Sequence, residues 1–194
     1  MKNVPLRAVV GLGNPGPEHE RTRHNAGFWF VDRLAADAGA EFRAEPKFRG
    51  GLARVRRAGH ELLLLKPSTY MNASGEAVQA LAAFYKLAPG EILIVHDELD
   101  LPPGTARLKR GGGHGGHNGL RSLHQHLGPD YLRLRIGIGH PGHKDRVLAY
   151  VLGRPSAEDR RAIDGAIARA EEALDCLLAQ GWDKATQWLH TEDR

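Results

Sequence analysis

Cysteine is almost missing from this chain: Cys176 is the only one in 194 residues. That excludes an internal disulfide framework and suits a reducing compartment. With no histidine near it in sequence, Cys176 reads as a small apolar helix residue rather than a nucleophile. Long apolar runs are missing too, and none approaches the roughly 20 residues that cross a bilayer. The opening residues, MKNVPLRAVVGLGNPG, lead directly into a strand and a polar loop without a small-residue cleavage site, so no secretory signal is expected. Linkers, repeats and low-complexity segments are absent. So are the G-x-S-x-G elbow of serine hydrolases and the helical H-E-x-x-H of metalloproteases. What remains fits a globular chain, with 41% hydrophobic and 26% charged residues. Its length suits one domain, residues 1–194, with a core of its own.

The net charge of +4 is modest, but its distribution is uneven. Between Arg107 and Arg146 stand eight Lys/Arg against two acids, Asp130 and Asp145, while the rest of the chain is slightly acidic. Six histidines share that segment. A basic surface beside a cleft points to a polyanionic partner, against the blander alternative of a solvated basic face.

The basic segment surrounds the most informative stretch, EILIVHDELDLPPGTARLKRGGGHGGHNG from Glu91 to Gly119. Ile92 to Val95 form an unalternating apolar run, which reads as a strand covered on both faces. It ends in His96, Asp97 and Glu98, and in open α/β sheets ligands bind beyond the carboxyl ends of strands. In Gly111–Gly119, six of nine residues are glycine. Such a backbone can take positive φ and let another molecule approach closely. A flexible linker is the bland alternative, but it has no use for His114, His117 and Asn118.

Other elements follow the same logic. Arg7–Leu12 reads as a first strand and Gly13–Pro17 as a turn at its carboxyl end. Asn25 is a candidate N-cap for a helix carrying Val31, Leu34 and Ala35, with His24 just before it. Leu52–Arg57 and Glu61–Lys66 flank a hairpin turn with Arg54 and Arg56 outward. A helix bearing Ala77, Val78, Leu81, Phe84 and Tyr85 is expected to end at Pro89-Gly90. Leu120, Leu123 and Leu127 mark a short helix. Leu132–Ile138 alternates with period two and predicts a half-exposed strand pointing arginines outward. Ser156–Gln180 is the longest helix, opened by a Ser-x-x-Asp box and closed by Gly181. Together these predict an α/β fold: one domain with a mixed, mostly parallel twisted sheet and helices on both faces.

Several chemistries compete for these residues. Gly11-Leu12-Gly13-Asn14-Pro15-Gly16 satisfies G-x-G-x-x-G, but Pro15 and Pro17 restrict the turn and no acid closes a second strand as a dinucleotide site requires. His114/His117, His140/His143 and His96-Asp97-Glu98 could supply metal ligands, though glycines give the first pair no rigid support. The remaining reading is a His–Asp general base with asparagines around it. His24, Asn14, Asn72, Asp97 and Asn118 all fall in loops expected at one rim of the sheet. A carboxylate on one imidazole nitrogen leaves the other to take a proton from water. A helix N-terminus would disfavour imidazolium at His24 and Asp97 would favour it. Neutral side-chain amides can donate to a developing oxyanion.

Six segments, GLGNPG (Gly11–Gly16), TRHNAG (Thr22–Gly27), PSTYMNASG (Pro67–Gly75), HDELDLPPG (His96–Gly104), GGGHGGHNGL (Gly111–Leu120) and RLRIGIGHPG (Arg133–Gly142), together resemble the bacterial peptidyl-tRNA hydrolases. The resemblance implies a monomeric cytoplasmic α/β enzyme that needs no metal or other cofactor. It would cleave the ester joining a peptide, or an N-blocked amino acid, to the 3′ end of tRNA. By position it makes His24 the general base, Asp97 its steadying carboxylate and Asn14 the discriminator between blocked and free amino groups. Asn72 and Asn118 fall where peptide backbone, acceptor end and water are held. Tyr70, Met71, His117 and His19 fall at substrate-contacting positions, although His19 stands where tyrosine is usual. Arg107, Lys109, Arg135 and Lys144 match tRNA phosphate positions, Arg107 in place of a common lysine. Two alternatives remain: an RNA-binding module without turnover, and a metal-dependent hydrolase.

Overall fold

The computed structural model describes residues 5–192; the first four residues of the opening segment and the last two of the chain lie outside it. In chain order the elements are β1 (Ala8–Gly11), α1 (Ala26–Asp37), β2 (Arg43–Glu45), β3 (Gly50–Arg57), β4 (His60–Pro67), α2 (Ser74–Tyr85), β5 (Ile92–Glu98), β6 (Ala106–Arg110), α3 (Asn118–Leu127), β7 (Leu132–Gly137), α4 (Val147–Val151), α5 (Ala157–Gln180) and α6 (Trp182–Glu192). The strands form one sheet in the order β2-β3-β4-β1-β5-β7-β6.

The α/β class and the mixed sheet agree with the sequence expectation, with one refinement. Among the described residues β1 pairs in parallel with β4 and β5, and β5 with β7. The β2–β3, β3–β4 and β6–β7 pairings are antiparallel. "Mostly parallel" therefore holds for the centre alone: β2, β3 and β4 follow one another through short reversals, and β6 turns back from β5 before α3 leads to β7. The β3–β4 reversal places Ala58 (φ 48°) and Gly59 (φ 78°) in succession in the left-handed region. That is the turn geometry matching the twist of paired strands.

Apolar side chains leave both sheet faces. Val9, Leu93, Val95, Leu132, Leu134 and Ile136 pack with α1, α5 and α6. Val10, Leu65, Ile92 and Ile94 pack with α2 and α3. α1 lies very close to the sheet. A Cβ on Gly27 would sit 2.3 Å from the Val95 carbonyl oxygen, and one on Gly11 would sit 2.3 Å from that of Gly27. Only hydrogen at both positions permits this approach.

Three local expectations change. Asn25 precedes α1, but its side chain makes no cap hydrogen bond. α2 stops at Tyr85 because Lys86 turns into the left-handed region (φ 54°), ahead of Pro89-Gly90; Phe84 near its end is exposed. Finally, β7 does alternate with period two, yet Arg133 is only 2% exposed. β7 is an inner strand, and the glycine-rich loop covers Arg133, whereas Arg135 stays partly exposed.

Candidate active site

The parallel strands β1, β4, β5 and β7 deliver their carboxyl ends to one rim, where the polar loops gather. There a cleft of about 580 Å³ is lined by His24, Asp97, His114, His117, Asn118, Lys109, Arg133, Arg135, His140 and Lys144 among others. Val147, Leu148 and Val151 of α4 form an apolar part of its wall.

His24 sits in a 3₁₀ turn, Arg23–Asn25, immediately before α1. The turn is tied to the far side of the cleft: Arg23 donates its Nη1 to the Tyr150 carbonyl at 2.9 Å and stacks on the Tyr150 ring. Asp97 is the penultimate residue of the buried strand β5 and is 3% exposed. The two residues, 73 positions apart, meet at 2.8 Å through His24 Nδ1 and Asp97 Oδ2. A carboxylate accepts, so Nδ1 carries the proton and Nε2 is left as the basic nitrogen.

The second Asp97 oxygen is also engaged. His117 Nε2 lies 2.8 Å from Asp97 Oδ1, while His117 Nδ1 accepts the Gly119 and Leu120 amides that begin α3. Accepting at Nδ1 forces the Nε2–H tautomer. His117 is thus at once the side-chain cap of α3 and a donor to Asp97. The sequence placed it among substrate contacts and gave no sign of this role.

Charge balance follows from the geometry. Burial opposes ionisation of Asp97, but the two imidazoles outweigh it and hold the carboxyl far below the usual carboxylate range. At His24 burial favours the neutral ring, yet Asp97's charge and hydrogen bond prevail and raise the pKa above 6.5. His96 behaves oppositely: burial, with His117 and Arg133 adding to it, pushes its pKa down to about 3. It donates Nδ1–H to the Asp97 carbonyl at 2.8 Å and takes no part in the dyad.

Asn14, in the turn after β1, is buried and held on three sides. Its N–H donates to Asn25 Oδ1 at 2.8 Å, and its carbonyl accepts from Asn25 Nδ2 at 3.0 Å. Its own Oδ1 accepts the Met71 amide at 2.7 Å. That last bond fixes the amide orientation and turns the Nδ2 donor away from Met71. Met71 itself is buried, so its contribution at the site is a backbone N–H rather than a side chain. Asn14 and Asn25 line a neighbouring cavity of about 610 Å³. Consecutive residues His24 and Asn25 thus face adjoining cavities.

Other expected residues take varied places. Asn72 and Asn118 are exposed, in the turn before α2 and at the first position of α3. His19 is half-buried and meets exposed Tyr70 edge-on, ring centroids 6.5 Å apart. Lys109, Arg135 and Lys144 line the cleft with the dyad, but Arg107 does not. Arg107 is paired across the β6–β7 ladder with Arg135, as Lys109 is with Arg133. Sequence reasoning missed Asn25 as the clamp on Asn14 and Arg133 as a buried member of the cleft, although both stand in segments already noted. A periodicity argument sees only which face a side chain takes, not what covers that face.

Among the described residues, His24, Asp97 and His117 form a set of metal-ligand type whose donor atoms lie within 4.8 Å of one another. None of the three histidine spacings singled out in the sequence supplies that set. Both Asp97 oxygens already accept from imidazoles, so a cation there would have to displace both hydrogen bonds.

The sequence profile of the peptidyl-tRNA hydrolase family matches residues 8–194. A peptidyl-tRNA hydrolase of Halorhodospira halophila is 58% identical over 186 residues, covering 95% of this chain and 96% of that one. One from Neisseria meningitidis is 55% identical over 188 residues, covering 96% and 98%. The crystal structure of peptidyl-tRNA hydrolase from Acinetobacter baumannii superposes with a TM-score of 0.92 at 50% identity, covering 95% of this chain and 94% of that one. The chain belongs to the peptidyl-tRNA hydrolase family.

Proposed function

We propose that the chain hydrolyses the ester between a peptide, or an N-blocked amino acid, and the 3′ end of tRNA, returning free tRNA to translation. The observation that carries the mechanism is the 2.8 Å contact between His24 Nδ1 and a buried, ionised Asp97 inside a basic cleft. Asp97 holds the ring as the Nδ1–H tautomer. His24 Nε2 takes a proton from water as that water's oxygen attacks the ester carbonyl carbon. The tetrahedral intermediate then expels the ribose oxygen, which receives the proton back from the imidazolium. Peptide carboxylic acid and tRNA are the products, and the base regenerates within one turnover. Such proton transfer contributes about 10²–10⁴-fold.

Amide donors fit the rest of the reaction. With its Oδ1 engaged by the Met71 amide, Asn14 is left to donate through Nδ2, which suits the carbonyl of a blocked amino group, whereas a free ammonium has no lone pair to accept from it. Asn72 and Asn118 are assigned to the peptide backbone, acceptor end and water. His19 and Tyr70 are assigned to the substrate at the rim. Lys109, Arg135 and Lys144, with Arg107 beside them, are assigned to tRNA phosphates. The β6–β7 ladder sets Arg107 opposite Arg135 and Lys109 opposite Arg133. Arg135 also has Glu98 3.7 Å away, and the cations gathered at this edge suit a polyanion. The same reading makes residues 1–194 one domain, working as a monomer in the cytoplasm. No helix among the described residues is long and apolar enough to cross a membrane.

The test is cleavage of N-acetyl-aminoacyl-tRNA by the purified protein, with and without chelator, beside the same tRNA with a free amino group. Cleavage of the blocked substrate that survives chelation supports the reading. Binding without turnover would make the chain an RNA-binding module instead. Loss of turnover with chelator would make it a metal-dependent hydrolase.

A further inference from the structure

The glycine-rich loop between β6 and α3 has the composition of a flap, but the structure braces it. Gly111 and Gly112 take φ of 66° and 106°, and Gly115 and Gly116 take 58° and 81°. Glycine adopts such conformations without the strain a side chain would bring. Beneath them lies Arg133, which donates Nη1 to the Gly113 oxygen and Nη2 to the Gly112 oxygen, both at 2.5 Å. One planar guanidinium therefore bridges two successive carbonyls. His124 Nε2, from the middle of α3, meets the Gly112 oxygen from another side at 2.9 Å. Farther along, Gly116 donates to His114 Nδ1 at 3.0 Å, and the His117 amide donates to the His114 carbonyl at 3.0 Å. The loop then delivers His117 to Asp97 and Asn118 to the mouth of the cleft.

Arg133 is an unusual residue to place there. It lies opposite Lys109 and two positions from Arg135 on one face of the ladder. Burial, with Arg135 adding to it, lowers its pKa. A buried cation among like charges costs stability unless its hydrogen bonds are well made. At 2% exposure its head is also too deep to serve as a surface phosphate contact in the manner of Lys109 or Lys144.

We propose that Arg133 is a positioning residue for the reaction. By bridging the Gly112 and Gly113 carbonyls it fixes the loop that sets His117 against Asp97 and Asn118 beside the dyad. The inference rests on the hydrolase reading above. Arginine is required rather than any cation, because a lysine ammonium is a point donor without the rigid fork that spans two carbonyls.

The experiment measures kcat and KM for N-acetyl-aminoacyl-tRNA, together with the salt dependence of tRNA binding, for the unaltered protein, Arg133→Lys and Arg133→Ala. Both variants are expected to lose at least tenfold in kcat, with KM changed less than about threefold and the salt slope unchanged. Lysine at 133 is expected not to rescue. That split marks loss of an arrangement needed in the transition state while substrate is still held. Because Arg133→Ala removes a buried group, His124→Phe is a second variant; by loosening the same Gly112 carbonyl it is expected to lower kcat about threefold or more with KM again held. Thermal denaturation of each variant excludes loss of folded protein as the cause. Retained kcat in Arg133→Lys would overturn the proposal, as would a salt slope flattened by about 0.7–0.9 in Arg133→Ala, the signature of a direct phosphate contact. Absence of turnover in the unaltered protein would refute the hydrolase reading itself, and is separated from these outcomes by measuring that protein first.

Discussion

Asn25 grips the backbone of Asn14 from both sides, accepting its N–H at 2.8 Å and donating to its carbonyl at 3.0 Å. One amide side chain thereby substitutes for the strand partner that Asn14 lacks once β1 has ended. Buried backbone groups without partners are costly, so this clamp maintains the turn in which Asn14 presents its amide. Asn25→Ala is expected to destabilise the protein by about 1–3 kcal/mol through the unsatisfied groups it leaves. Denaturant unfolding measures this. Asn25→Asp retains the acceptor half of the clamp but sets a buried carboxylate oxygen against the Asn14 carbonyl, and should destabilise at least as much as Asn25→Ala.

The raised pKa of His24 gives activity a definite pH dependence. The neutral ring is the base, so the raised value moves the acid limb of kcat/KM above the 6.5 of an ordinary imidazole. Asp97→Asn removes the charge that raises it and should shift that limb to lower pH, with a large loss of rate. His24→Ala should abolish turnover while leaving tRNA affinity within a few-fold. A pH–rate profile of each protein checks both statements.

Lys109 and Arg135 line the cleft and should contact phosphate directly, whereas Arg107 lies outside its lining. Lys109→Ala and Arg135→Ala should each reduce the slope of log affinity against log salt by about 0.7–0.9, one phosphate contact apiece. Arg107→Ala should reduce it less. Filter-binding or fluorescence titrations at several salt concentrations distinguish these cases. Equal slopes for all three would remove Arg107's separate status.

Away from the cleft, Glu171 of α5 is held by Arg33 at 2.8 Å and Arg57 at 3.5 Å. Burial and neighbouring Asp37 nevertheless push its pKa up to about 7 from 4.5. A carboxyl raised on folding binds its proton more tightly in the native state. Its ionisation therefore opposes folding increasingly as pH rises from about 4.5 to 7, and fully above that; below 4.5 the difference vanishes. The stability of the unaltered protein relative to Glu171→Gln should fall across that window and then level off. Denaturation midpoints of both proteins at pH 5 and pH 8 measure the change.

Much of the fold was legible in order along the chain. The apolar run Ile92–Val95, the hairpin at Ala58-Gly59 and the Ser156 cap of α5 are set by neighbouring residues, so periodicity and turn chemistry reveal them. The same holds for the glycine-rich loop and for the polar residues that end each strand. Where the sequence reading went astray, the cause lay in what covers a strand or in a backbone conformation that residue type does not favour. β7 alternates as expected, but whether Arg133 meets water depends on a loop twenty residues earlier. α2 ends on the left-handed Lys86, a non-glycine stop that local propensity does not announce.

By itself the sequence determined the strands, the helical faces, the segregation of positive charge and the six segments that mark the family. The tertiary structure alone decided how the polar residues divide the work. Asp97 lies 73 positions from His24 and 20 from His117, yet each of its oxygens meets one of their rings. Hydrogen bonds act over about 3 Å and require direction as well as distance. Both are created only when the strands pair and α1 settles on the glycines beneath it.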